Sequence, residues 1–189
     1  MNSIKQIEVI YNNRLVGRLA LTREGLCAFE YSAEWLSSGF SISPFELPLR
    51  SGVFIAKPRP FEGGFGVFDD CLPDGWGLLI LDRYLQQKGI NPCTLTLLDR
   101  LALVGSTGRG ALEFRPDNSV VTRQDFADFE KLALEAEKIL ASDDYMGEGI
   151  EEFQDRGGSP GGARPKIFVR YNDKEWLVKF RAKRDSQSI

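Results

Sequence analysis

The chain has 189 residues, of which 42% are hydrophobic and 27% charged, and its formal net charge is −3. This composition supports a folded core in one sizeable domain or two small ones, and the net charge argues against a general nucleic-acid binder. The absence of histidine excludes His-dependent hydrolases and Cys₂His₂ zinc sites. Three cysteines without a C-x-x-C pair, and no apolar run of the roughly 20 residues that span a bilayer, predict a cytoplasmic protein without membrane contact.

The N-terminal part is predicted to be rich in β-structure. Apolar residues alternate over IKQIEVIY and RLVGRLAL on either side of Asn12-Asn13, which predicts a hairpin, and LCAFEYS predicts a third strand. SAEWLSS predicts a single helical turn capped by Ser32. The Pro- and Gly-rich residues 45–64 predict short extended pieces and loops.

Three helices are predicted next. The first begins after Pro73-Asp74-Gly75 and ends at Gly89, the second begins at Asn91-Pro92 and ends at Gly105, and the third covers TRQDFADFEKLALEAEKILAS. In the first helix, the residues predicted to share one face are Leu78, Leu81 and Leu85, with Trp76, Ile80 and Tyr84 beside them. In the third helix, the predicted capping pair is Thr122 with Asp125, and the predicted buried stripe is Phe126, Phe129, Ala133, Ala136 and Leu140.

The C-terminal part is predicted to be a linker followed by a hairpin. Gly147–Ser159 is the best linker candidate, and KIFVRY and WLVKFR, joined by the turn NDKE, predict two strands. A lone hairpin is marginally stable in water. It therefore needs support, either by packing back on the N-terminal part or from outside the chain.

Charge is unevenly distributed along the chain. Residues 164–184 contain eight Lys or Arg against two acids, which is +6 and leaves −9 for the rest, and residues 143–155 contain six acids and no base. A solvated linker and hairpin would explain this pattern. That explanation is favoured by the charge pattern alone, and a cation cluster that binds phosphates is the alternative.

The stretch RGGSPGGARPK is the main candidate for an anion-binding loop. It matches neither the Walker A pattern nor G-x-G-x-x-G, but four glycines around Ser159 would allow backbone N–H groups to approach an anion. Lys179 follows on the second predicted strand, a layout that protein kinases use to cover and hold ATP phosphates. A flexible surface hinge with a solvated lysine is the alternative.

Two other motifs are possible binding sites. GSTGRG at 105–110 is a possible anion nest, but its position after a helix favours a tight turn into a strand. Asp69, Asp70 and Asp74 are a possible divalent-ion group, but their position favours capping at a helix N-terminus.

Four segments together resemble the HipA family of serine/threonine kinases, the toxins of bacterial toxin–antitoxin pairs. They are FELPL, VFDDCLPDGWG with Asp74 for the usual Glu, LLDRLALVGSTGRGALEF, and GGSPGGARPK followed by WLVKF. The resemblance implies an α+β fold. Residues 1–117 would form a β-rich N-terminal subdomain with packed helices, and residues 118–189 the beginning of a truncated kinase-like core with its Gly-rich loop and β-hairpin.

The resemblance also implies the roles of single residues. The implied nucleotide-binding set is Gly158, Ser159, Gly161, Gly162, Ala163, Lys166 and Lys179. Ser159 matches the serine that the family autophosphorylates, Lys179 matches the lysine that contacts ATP phosphates, and the complete kinase would use ATP and Mg²⁺. Implied partners are a HipB-like helix-turn-helix antitoxin, operator DNA through it, and an aminoacyl-tRNA synthetase substrate.

Within these 189 residues, no match is found to the family's catalytic-loop Asp and Asn or its magnesium-binding Asp. The sequence thus predicts no catalytic residue or metal ligand here, and a chain inactive on its own. Three hypotheses remain. The chain is the N-terminal part of a HipA-like kinase, a separately encoded, non-enzymatic regulatory partner of a split kinase core, or a binding domain whose glycine loop is a hinge.

Overall fold

The structure, a computed structural model, describes residues 3–119, 128–142, 144–156 and 162–181. It divides into two compact units. The first unit contains the described residues up to Leu72 together with Thr94–Ser119, and the second contains Pro73–Cys93 and the described residues from Asp128 onward. The sequence-based boundary between residues 117 and 118 stays a prediction, since compactness and family resemblance are different criteria.

The described residues form seven strands and six α-helices. The strands are β1 (Gln6–Tyr11), β2 (Arg14–Leu21), β3 (Cys27–Tyr31), β4 (Val53–Ile55), β5 (Glu113–Arg115), β6 (Lys166–Tyr171) and β7 (Lys174–Lys179). The helices are α1 (Ala33–Ser38), α2 (Gly66–Asp69), α3 (Gly75–Gln87), α4 (Leu97–Val104), α5 (Phe129–Ala141) and α6 (Gly149–Asp155). Both sheets are antiparallel, so the predicted mixture of helices with antiparallel strands is confirmed.

The first unit is built on a five-stranded sheet in the order β4-β3-β2-β1-β5. The predicted hairpin and third strand are confirmed. Asn12 and Asn13 have φ values of 47° and 60°, which match the tight turn that suits the twist of two antiparallel strands. The apolar face of the sheet packs into an aromatic-rich core around Phe29, Trp35 and Phe114, each at most 1% exposed.

Helix α4 begins later than the sequence predicted. A short 3₁₀ turn, Pro92–Thr94, occupies the predicted start, and α4 itself begins after Thr96. Thr96 and Asp99 form a reciprocal capping box, which satisfies two N–H groups at the helix start and fixes the true boundary. The Asp99 carboxylate also accepts a hydrogen bond from the Ile4 N–H at 2.9 Å, which ties the helix to the beginning of the chain. The predicted end at Gly105 is confirmed.

The second unit packs the β6–β7 hairpin against three helices. Its core residues are Trp76, Ile80, Leu132, Ala136, Ile139, Ile150, Phe153, Ile167, Val169 and Phe180. Edge-to-face contacts join Trp76 to Phe153 and Phe153 to Phe180, with ring centroids 5.0 and 5.7 Å apart. The hairpin therefore obtains its support by packing back on α3 from the N-terminal part of the chain, and on α5 and α6.

The linker prediction for Gly147–Ser159 is wrong over its described part. Residues 149–155 form α6, which buries Ile150 and Phe153 in the core of the second unit. This helix contains only two large apolar residues, three positions apart, and they lie among acidic residues. Its composition therefore indicated a linker and not a helix. Residues 157–159 lie outside the described part of the chain.

The predicted faces of the two longer helices are correct only in part. On α3, Leu81 and Leu85 are buried, but Leu78 is 37% exposed. On α5, Phe129 and Leu140 are 47% and 38% exposed, and Leu132 and Ile139 join the predicted Ala136 in the core instead. The prediction treated the aromatic residues at the start of the helix as buried. It therefore placed the buried face one position away from the true one. Thr122, Asp125 and Phe126 lie outside the described residues.

No helix in the described ranges is both long and apolar enough to cross a membrane. Within the same ranges, no group of three or more Cys, Asp or Glu side chains is arranged to hold a metal ion.

Candidate functional site

The candidate site lies where the chain enters the β6–β7 hairpin of the second unit. Of the predicted nucleotide-binding residues, Gly162, Ala163, Lys166 and Lys179 are described. The structure gives no information on Gly158, Ser159 and Gly161, which lie outside the described residues. The described part of the site consists of the C-terminal end of the glycine loop and the two strands that follow it.

Lys166 and Lys179 are directly opposite each other on the paired strands β6 and β7. Residues in this relation have Cβ atoms about 5 Å apart on one face of the sheet. Their neighbours Ile167 and Phe180 are buried in the core. Because successive side chains of a strand point to opposite faces, the face of the hairpin opposite the lysines packs against the helices. The Phe180 N–H donates to the Pro165 carbonyl at 2.8 Å and continues the pairing past the lysines.

The two lysines differ in their environment. Lys179 is exposed, whereas Lys166 is only 7% exposed, and its Nζ donates to the Gly162 carbonyl at 3.2 Å. Burial and, to a smaller extent, the positive charge of Lys179 lower the pKa of Lys166, and the carboxylate of Asp74 opposes this shift. A buried lysine beside a second cation does not fit the interpretation of the hairpin as uniformly solvated.

Gly162 is held by both of its backbone polar groups. Its N–H donates to Oδ1 of Asp74 at 3.0 Å, and its carbonyl accepts from the Trp76 N–H at 3.1 Å. The backbone at Gly162 has φ = +86°, which glycine adopts without strain. The end of the loop is thus fastened to the first residues of α3.

Gly75 makes this close approach possible. Its φ is +47°, and a Cβ placed on it would lie 2.5 Å from the carbonyl carbon of Gly162 and 2.8 Å from the nitrogen of Ala163. Any side chain here would push the loop end away. The glycine in the LPDGWG segment therefore serves the contact between α3 and the loop, as well as the beginning of the helix.

Asp74 does not have the helix-capping role predicted for it. It occupies the N-cap position of α3, but its side chain makes no hydrogen bond to the first turn of that helix. The carboxylate instead accepts from Gly162, which is 88 positions away in sequence. Sequence patterns describe near neighbours, so nothing in the local sequence indicated this partner.

The second glycine motif, GSTGRG, lies in the first unit and forms the predicted tight turn. Gly105 ends α4 with φ = +51°, and its carbonyl accepts from the Phe114 N–H at 3.1 Å. The Asp117 carboxylate accepts hydrogen bonds from the N–H groups of Ser106 and Ser119, each at 3.0 Å. The Asp117 carboxylate therefore already occupies the Ser106 N–H, which an anion nest in this loop would need.

The geometry of the second unit suits a phosphate group. Two lysines on adjacent strands bring two positive charges together beside glycine backbone, and their mutual repulsion would decrease if an anion bound near both. Lysine ammonium groups and backbone N–H groups are the usual ligands of nucleotide phosphates.

The chain is similar to one protein family and to a solved structure. The family model described as HipA N-terminal domain matches residues 7–115, more than half of the chain. No match was found among the curated proteins. Among solved structures, the chain is similar to a chain of the Shewanella oneidensis MR-1 toxin–antitoxin complex of HipA, HipB and operator DNA.

The structural match covers 90% of the present chain and 37% of the Shewanella chain, with 21% sequence identity and a TM-score of 0.52. The present chain thus spans little more than a third of the length of the protein it matches. At this identity the likeness establishes the fold. The family model covers more than half of the chain, and the shared fold is consistent with it. The chain therefore belongs to the HipA-like family through its HipA N-terminal domain.

Proposed function

We propose that this chain is the ATP-phosphate-binding part of a HipA-like protein serine/threonine kinase, the toxin of a type II toxin–antitoxin pair. The observation that carries the proposal is the cross-strand pair Lys166 and Lys179 beside the fixed end of the glycine loop. In this account residues from about 118 onward begin the kinase-like core.

The predicted site residues other than Gly162 have defined roles in this proposal. Exposed Lys179 contacts the ATP phosphates directly, and Lys166 adds a second positive charge from a fixed position. Backbone N–H groups of Gly158, Gly161 and Ala163 approach the same phosphates. Ser159 is the autophosphorylation site, where a phosphate of charge about −2 would compete with ATP for the same cations.

The chain is proposed to bind ATP without transferring its phosphate. The catalytic Asp and Asn and the magnesium-binding Asp of the family are assigned to none of the 189 residues. They would come either from more of the same polypeptide or from a separately encoded kinase core. ATP would arrive with Mg²⁺ bridging its phosphate oxygens.

The partners are proposed from the resemblance and from the solved complex. The Shewanella complex contains HipA, HipB and operator DNA. We infer a HipB-like antitoxin for this chain and contact with operator DNA through it. An aminoacyl-tRNA synthetase as substrate is part of the same proposal and rests on family resemblance.

A non-enzymatic regulatory subunit is the second candidate function. It is favoured by the first unit, which closes its own core over the five-stranded sheet and lies within the range of the HipA N-terminal domain match for most of its length. Such a subunit would bind a separate kinase core tightly. It would have no need of the lysine pair, so nucleotide binding separates the two candidates.

The test is calorimetric titration of the purified chain with ATP and Mg²⁺. We expect saturable binding that Lys179→Ala weakens by at least about tenfold, the order expected for a lost charge-assisted hydrogen bond. Lys174→Ala removes an exposed lysine from the other end of the same strand and should leave the affinity unchanged. Equal affinities for the wild-type chain and Lys179→Ala would overturn the proposal.

A further inference from the structure

The carboxylate of Asp74 accepts a hydrogen bond from the end of the glycine loop and makes no capping hydrogen bond to its own helix. We propose that Asp74 is a positioning residue of the phosphate site, which fixes Gly162 and through it the ammonium group of Lys166. This inference rests on the proposed function, in which Lys166 and Lys179 bind phosphate. Asp74 itself, being an anion, is not a phosphate ligand.

Three hydrogen bonds converge on the backbone of Gly162. Asp74 accepts from its N–H at 3.0 Å, while its carbonyl accepts from the Trp76 N–H at 3.1 Å and from Nζ of Lys166 at 3.2 Å. The carbonyl is therefore the link between Lys166 and the start of α3. Loss of the Asp74 bond would free the N–H side of Gly162 and loosen the acceptor that holds the lysine.

Close packing also holds the start of α3 against the end of the glycine loop. Gly75 and Gly162 both have positive φ, and their backbones approach so closely that a Cβ on Gly75 would clash with the carbonyl carbon of Gly162. Trp76, which follows, is 3% exposed and packs on Phe153 in the core of the second unit. The segment Asp74–Trp76 is thus anchored in the core and can serve as a fixed support for the loop end.

Asp74 also supports the charge of Lys166. Burial and the neighbouring Lys179 both lower the pKa of Lys166, and the Asp74 carboxylate raises it. The carboxylate therefore favours the protonated form that a phosphate requires. At the same time it repels a phosphate by its own charge, so its net benefit must come from holding the lysine in place and protonated.

Two substitutions separate position from charge. Asp74→Asn retains an oxygen that can accept the Gly162 N–H but removes the negative charge. Asp74→Ala removes both. Asp144→Asn makes the same change of charge at an exposed position of the second unit and serves as the control.

The experiment is titration with ATP and Mg²⁺ between about pH 7 and pH 10, a range that brackets a lowered lysine pKa. At pH 7 we expect Asp74→Ala to bind about tenfold more weakly than wild type and Asp74→Asn to stay within about threefold. Affinity should fall with rising pH as Lys166 loses its proton, and this fall should begin at lower pH in Asp74→Asn. Asp144→Asn should follow the wild-type curve.

The inference is overturned if Asp74→Ala binds ATP as the wild type does, or if the alanine and asparagine variants lose affinity equally and share one pH profile. In the second case only the charge of Asp74 would matter. Thermal unfolding of each variant identifies loss of affinity that results from loss of the fold.

A measurement without nucleotide distinguishes the two proposals. If wild-type protein does not bind ATP, the proposed function fails, but NMR still tests the position. Asp74→Ala should accelerate exchange of the Gly162 amide hydrogen by about tenfold, while Asp74→Asn should protect it and lower the pH at which the ¹³Cε signal of Lys166 titrates. Unchanged exchange in Asp74→Ala would overturn the positioning role by itself.

Discussion

Lys166 combines burial with positive charge, which are opposing demands on one side chain. A buried ammonium group must be hydrogen-bonded and electrostatically supported to persist. The Gly162 carbonyl supplies the hydrogen bond and Asp74 the negative charge, but burial and Lys179 still leave the pKa of Lys166 lowered. A site that gains an anion between its two cations would relieve part of this cost, which is the physical basis for the proposed phosphate binding.

Gly75→Ala tests the contact between α3 and the loop end at the scale of a single residue. The added Cβ would meet backbone atoms of residues 162–163 and would also force a strained φ. We expect the free energy of unfolding to fall by about 2–4 kcal/mol and ATP affinity to fall with it. Urea unfolding and titration with ATP measure the two effects.

Gly89→Ala is the matched control for this substitution. Gly89 lies just past the other end of α3 with φ = +74°, and a Cβ there would meet nothing within 4 Å. It should therefore show only the cost of the strained backbone, about 1 kcal/mol, with unchanged ATP affinity. Equal effects of the two substitutions on stability and affinity would show that the close contact of Gly75 contributes nothing.

Among the elements, α5 and the start of α6 are joined by a network centred on Glu135. Its carboxylate accepts from Lys138 at 2.7 Å and from the hydroxyl of Tyr145, and Gly149 at the start of α6 packs against its side chain. The hydrogen bonds from Lys138 and Tyr145 lower the pKa of Glu135 below its usual value of 4.5. Burial and, after it, the hydrogen bond to Glu135 raise the pKa of Tyr145 to about 12.

This network predicts acid sensitivity of the second unit. Because the pKa of Glu135 is lower in the folded state, its contribution to stability is present above pH 4.5 and is lost as the pH falls through the lowered value. We expect Glu135→Gln to destabilise the protein at pH 7 and to reduce the loss of stability on acidification. Urea unfolding at a series of pH values measures this, and Glu137→Gln on the exposed face of α5 is the control. A Glu135→Gln curve parallel to that of wild type would contradict the role.

Elements with a strong local signal could be predicted, and those defined by distant contacts could not. The hairpins follow from alternation and from Asn-rich turns, and Gly105 ends α4 as predicted. Helix α6 could not be predicted, because it is held in place by two apolar residues that pack into a core built from other segments. The Lys166–Lys179 pairing follows from the hairpin register, whereas the bond between Asp74 and Gly162 joins segments 88 positions apart.

At the scale of the whole molecule, the match to the HipA N-terminal domain and the basic residues lie mainly in different units. The first unit matches a HipA N-terminal domain over most of its length, while the described part of the basic segment, residues 164–181, and the lysine pair belong to the second. Pro73–Cys93, although inside the matched range, packs with the second unit and brings Asp74 and Gly75 to the loop. The candidate site therefore depends on a segment of the HipA N-terminal domain as well as on the residues that follow it.

The central claim is that nucleotide phosphates bind at the entrance of the β6–β7 hairpin. The most direct measurement is NMR mapping of backbone amide shifts in isotope-labelled protein during titration with ATP and Mg²⁺. We expect saturable shifts at Gly162, Ala163, Lys166 and Lys179, with little change at residues 105–110. Shifts that centre on residues 105–110, or none at saturating ATP, would contradict it.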